Sequence, residues 1–90
     1  MSNLFEQMGF DSHESRILEM KTQAYRQIKK IVEKQGYTQK YLAEKFDVTQ
    51  PRVSELLHGK LSLFSLEKLL GFVELLGYRT DMQFKKVANG

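Results

Sequence analysis

Ninety residues with 41% hydrophobic side chains make one small domain, where burial alone gives modest stability and a second subunit is a natural aid. There is no cysteine, which excludes disulfides and thiolate metal sites, and no apolar run approaches the roughly 20 residues of a membrane span. The net charge of +3, from 14 basic and 11 acidic residues, is too mild for a protein that grips phosphates indiscriminately.

Residues 1–11 read as an arm. They lack the basic start and apolar core of a signal peptide, so the expected location is cytoplasmic. Leu4, Phe5, Met8 and Phe10 form an apolar group that either docks a partner or folds back on the first helix. From about residue 12 to 35, Ile17, Met20, Ala24, Ile28, Ile31 and Val32 recur at helical spacing. Asp11 or Ser12 is the expected N-cap, and Gly36 the stop.

Residues 38–60 carry the strongest pattern: two short helices joined by a tight turn, the layout of a helix-turn-helix that reads DNA in the major groove. Thr38 caps the first of them, and Leu42, Ala43 and Phe46 form its inner face. Ala43 permits a close crossing. Asp47 supplies the turn, since aspartate tolerates a positive φ better than most residues, and Val48 plugs the core beneath it. Thr49 caps the next helix, with Pro51 in its first turn, where a missing N–H costs nothing. At 100° per residue, Val53, Leu56 and Leu57 share the inner side. Pro51, Ser54, Glu55 and His58 then face outward with Gln50 and Arg52 at the edges, a surface without a large aliphatic that suits base edges. Gly59 ends the helix. Six basic residues stand against two acids between Arg26 and Lys45, either a solvated face or a phosphate-facing one.

Ser65 caps a final helix with Leu66, Leu69, Leu70, Val73 and Leu76 on its apolar stripe, ended by Gly77. Gly71 inside it implies a close helix crossing. From residue 78 the period changes: Tyr78, Thr80, Met82 and Phe84 alternate with Arg79, Asp81, Gln83 and Lys85, a strand pattern. One strand alone has no ladder partner, so pairing with the same strand of a second copy across a two-fold axis is expected; the rival is a tail packed by its aromatics. The two reading helices of such a homodimer would enter successive major grooves about 34 Å apart, which implies an inverted-repeat target in double-stranded DNA. The expected architecture is thus all-α, a bundle of four to five helices with one C-terminal strand, organised as arm 1–11, DNA-binding domain 12–77 and dimerisation segment 78–90.

The segment 38–60 resembles the Xre family, the helix-turn-helix group of the lambda and 434 repressors, through Thr38-Gln39, Leu42-Ala43, Val48-Thr49-Gln50, Val53-Ser54 and Gly59-Lys60. The run Thr49-Gln50-Pro51-Arg52-Val53-Ser54, with Gly59-Lys60 and Phe64-Ser65-Leu66 beyond it, is more specifically similar to the HigA-type antitoxins and close regulators. Where this chain has Asp47, glycine is commoner. The resemblance implies a lambda-repressor-like bundle and a repressor of its own operon, the antitoxin of a type II toxin–antitoxin pair with a RelE/HigB-like toxin; the alternative is a free-standing regulator. It also implies residue roles. Gln50 would engage adenine, Pro51 a thymine methyl, Arg52 a guanine or a phosphate, and Glu55 either cytosine N4 or solvent. Thr38, Gln39, Lys40, Thr49, Ser54, His58, Lys60 and Ser62 are the phosphate-side candidates. Arg52 has a rival use in an i,i+3 pair with Glu55, and His58 one as a cation near the helix C-terminus. His13 and His58 are the only histidines; with no ligand-spaced pair, phosphate loop or nucleophile motif, neither metal, cofactor nor catalysis is expected.

Overall fold

The computed structural model describes residues 12–88, so the arm and its Asp11 lie outside the described residues. Helix α1 spans Ser12–Gln35, α2 Gln39–Phe46, α3 Gln50–Leu57 and α4 Leu66–Leu75, with a 3-10 turn at Leu61–Leu63 between the last two. All described regular structure is helical, as the alternation of apolar stripes and capping residues requires.

The long helix α1 buries Ala24, Ile28, Ile31 and Val32, with Ser15 also enclosed, while Ile17 and Met20 are half-buried. It ends where Gly36 takes φ 70°, a left-handed turn that a side chain would resist. Across it packs α4, its largest helix–helix contact, and α2 and α3 pack on one another. Leu42, Ala43 and Phe46 of α2 meet Val53 and Leu56 of α3 and Leu69, Phe72 and Val73 of α4 in one cluster. Each fully enclosed aliphatic or aromatic side chain contributes roughly 1.5–3 kcal/mol relative to exposure.

Three findings differ from the sequence pattern. Phe72, outside the expected leucine stripe, is 2% exposed and sits at the centre of the core. Its ring stacks on Phe46 at 4.3 Å and meets Phe64 edge-on at 6.1 Å, so the stripe of α4 is wider than its leucines. Gly71 makes no close crossing: a Cβ there would meet nothing within 4 Å. The expected strand is not formed in the single chain either. Residues 78–87 carry no regular structure, and Met82 and Phe84 are 68% and 89% exposed. With no second strand beside it, the segment has nothing to ladder against.

Candidate nucleic-acid interface

The helix-turn-helix is built from its caps. Thr38 (φ −85°, ψ 161°) accepts the Tyr41 N–H on its hydroxyl at 3.0 Å and so starts α2. At the other end Asp47 is left-handed, φ 56° and ψ 50°. That conformation lets the Val48 N–H reach the Ala43 carbonyl at 3.0 Å and the Asp47 N–H reach the Glu44 carbonyl at 3.3 Å, which satisfies the helix end while turning the chain. Two residues later Thr49 (φ −76°, ψ 157°) accepts the Arg52 N–H at 3.3 Å and opens α3, with Pro51 in the first turn.

Helix α3 divides cleanly. Val53 and Leu56 are 0% and 1% exposed, and Leu57 packs against the edge of the core. Gln50, Pro51 and Arg52 are exposed, Ser54 and Glu55 half-buried. The inner side thus anchors the helix and leaves its first turn open to a partner. Gln39 and Lys40 stand exposed at the start of α2, and Lys60 and Ser62 are exposed just beyond α3; Thr38 and Thr49 use their hydroxyl oxygens as cap acceptors, each keeping its O–H as a donor.

Two outward residues are engaged within the chain. Arg52 Nη1 lies 3.2 Å from Glu55 Oε1, the i,i+3 pair, and its guanidinium carbon sits 5.6 Å from the Phe64 ring centroid. His58 turns back along its own helix, with Nδ1 2.7 Å from the Ser54 carbonyl oxygen and 3.4 Å from the Ser54 hydroxyl, close to its expected place at the negative helix end.

Helix α1 seats this unit through Lys21 and Tyr25, which carried no signal in the sequence, and through Lys29, one of the six basic residues of the 26–45 run. Tyr25 donates its hydroxyl to the Leu57 carbonyl at 3.2 Å; Lys29 Nζ lies 3.5 Å from the same oxygen, and Lys21 Nζ 3.4 Å from that of Leu61. The Leu57 carbonyl belongs to the end of α3, where intrahelical donors run out; that of Leu61 also accepts the Phe64 N–H. Residues 21, 25 and 29 do lie at helical spacing on one side of α1, but the carbonyls they meet are distant in sequence. Gly59 fits the same junction for two reasons: its φ is 76°, and an added Cβ would come within 3.3 Å of the Tyr25 hydroxyl oxygen. At the opening of α2, Tyr37 stacks on Tyr41 with centroids 4.5 Å apart. Burial, then the neighbouring Tyr41 and Tyr78, hold the Tyr37 hydroxyl above its ordinary value.

The tail places Tyr78, Met82 and Phe84 in solvent, with Thr80 half-buried and Arg79 paired to Asp81 at 3.0 Å. Among the described residues no three His, Cys, Asp or Glu side chains gather as metal ligands, and no helix is long and apolar enough to cross a membrane.

Two capped helices at a tight turn, the second with a buried inner face and an exposed polar first turn, define a helix-turn-helix DNA-binding fold. A family model described as a helix-turn-helix domain matches residues 4–85, and the chain belongs to that family. No curated protein matches it.

Proposed function

We propose that this chain is a sequence-specific transcriptional regulator of the Xre type that binds an inverted-repeat operator in double-stranded DNA as a homodimer and represses its own operon. The observation that carries the reading is the first turn of α3. Gln50, Pro51 and Arg52 are exposed together, on a helix fixed by Val53 and Leu56 from behind and by Thr49 at its start. In this reading Gln50 reads adenine, Pro51 rests on a thymine methyl, Arg52 reads guanine and Glu55 accepts from cytosine. Thr38, Gln39, Lys40, Thr49, Ser54, His58, Lys60 and Ser62 line the phosphates. Residues 12–77 are the reading domain and 1–11 an arm. Residues 78–90 supply the dimer contact through Tyr78, Thr80, Met82 and Phe84, forming their strand only when a second copy provides the ladder. The role involves no catalysis and places the protein in the cytoplasm.

The HigA-like run around Thr49 and Pro51 favours an antitoxin with a RelE/HigB-like toxin over a free-standing regulator. A mobility-shift titration with the DNA upstream of the gene tests the reader. Wild type retards a palindromic fragment specifically and Gln50→Ala/Arg52→Ala does not; equal retardation of unrelated DNA by both sinks the reading. Co-expression with the neighbouring gene's product then separates antitoxin from regulator, since only an antitoxin restores growth.

A further inference from the structure

We infer that Arg52, Glu55 and Phe64 form one preassembled recognition unit, in which Phe64 is a positioning residue and Glu55 both holds the Arg52 guanidinium toward a guanine and faces the cytosine beside it. This rests on the DNA-reading role proposed above and specifies the sequence it selects. By helical geometry Arg52 leaves α3 at the flank, about 90° from the middle of the buried side, whereas Glu55 lies near the centre of the outer side. The 3.2 Å contact between them ties this flank residue to one on the outer side. Beneath the guanidinium the Phe64 ring lies 5.6 Å away, inside the range of an attractive cation–ring contact.

Phe64 is itself immobilised. It is 4% exposed, closes the 3-10 turn through its N–H to the Leu61 carbonyl at 3.2 Å, and meets Phe72, which stacks on Phe46. The charge on α3 is therefore tied to the centre of the core by successive aromatic contacts, and a guanidinium held at two points loses less freedom on meeting a base.

Pairing also explains how an acid is tolerated on a DNA-facing surface. A lone Glu55 would be repelled by the phosphates, but the ion pair with Arg52 carries no net charge. The contact occupies Nη1 and Oε1, which leaves further guanidinium N–H groups for guanine O6 and N7 and the second carboxylate oxygen for an amino group of cytosine. Arg52 and Glu55 thus act together, and the base-contact and ion-pair readings of Arg52 cease to be rivals.

The test begins with selection of binding sites from random duplexes by the full chain. Affinities are then measured for the selected duplex and for one in which the guanine read by Arg52 is replaced by 7-deazaguanine, which lacks the N7 acceptor. Wild type should lose roughly tenfold on that replacement. Glu55→Gln and Phe64→Leu should lose less than about threefold, and selection with Glu55→Gln should relax the neighbouring cytosine. Glu55→Gln changes a half-exposed side chain, so it tests the pairing with Arg52, through the deazaguanine loss, even where Phe64→Leu unfolds the domain. A Glu55→Gln protein that selects the same site and keeps the full deazaguanine loss, or that binds every sequence more tightly, overturns the inference while the DNA-reading role stands. Failure of wild type to enrich any sequence overturns both.

Discussion

The α2–turn–α3 unit and the segment 78–87 occupy opposite ends of a scale of self-sufficiency. In the former, both helix starts have a hydroxyl cap, the turn satisfies its carbonyls through Asp47 and Val48, and α1 supplies donors where α3 ends. Its inward side chains Leu42, Ala43, Phe46, Val53 and Leu56 are enclosed by the same chain. In the latter, two of the alternating residues stand largely in water, Met82 at 68% exposure and Phe84 at 89%. Local chemistry completes the first region within one molecule. The second has the composition of a strand but lacks, within one chain, the neighbour that makes a strand.

Breaking either region should therefore give different failures. Leu56→Ala removes a side chain that is 1% exposed between α3 and the rest of the core, and should cost about 2–5 kcal/mol of unfolding free energy in denaturant titrations. Met82→Asp/Phe84→Asp should leave monomer folding intact by circular dichroism while abolishing the dimer in sedimentation velocity. Its operator affinity should fall about a hundredfold, because two half-sites no longer bind as a unit. A double variant that remains dimeric would remove the tail from the interface.

The two regions also differ in how far they can be read from sequence. Caps and turns are short-range: Thr38, Asp47, Thr49 and Ser65 each act on a backbone group within a few residues, and each occupies its expected place. The inner side of α3 follows from periodicity alone. What escapes is long-range. Phe72 breaks the leucine stripe, and its burial depends on Phe46 and Phe64 arriving from other elements. Tyr25 reaches Leu57 across 32 residues, a distance over which spacing rules say nothing. Of the candidate site, the exposure of Gln50, Pro51 and Arg52 is legible as the complement of the apolar side, whereas the Phe64 ring under Arg52 is not.

Within the reading unit, smaller changes divide positioning from specificity. Gln50→Ala should reduce discrimination at a single base position by about 1–3 kcal/mol in competition binding, with little effect on other positions. Lys60→Ala should instead weaken all duplexes alike and flatten the dependence of log affinity on log salt by about one. Identical salt slopes for Lys60→Ala and wild type would place that lysine away from the phosphates.

The smallest change lies outside both regions, on α4. Gly71 lies in the middle of α4, facing open space, so Gly71→Ala should stabilise the monomer by about 1 kcal/mol through helix propensity, raising Tm by roughly 4–8 °C for a domain of this size. Gly59 is the opposite case: there the positive φ and the Tyr25 hydroxyl both oppose a Cβ, and the same substitution should destabilise. If the dimer forms through residues 78–84 alone, Gly71→Ala raises Tm without changing the dimer dissociation constant. A higher Tm accompanied by weaker self-association would mean that the glycine admits a helix of the second copy, moving part of the interface from the tail onto the exposed side of α4.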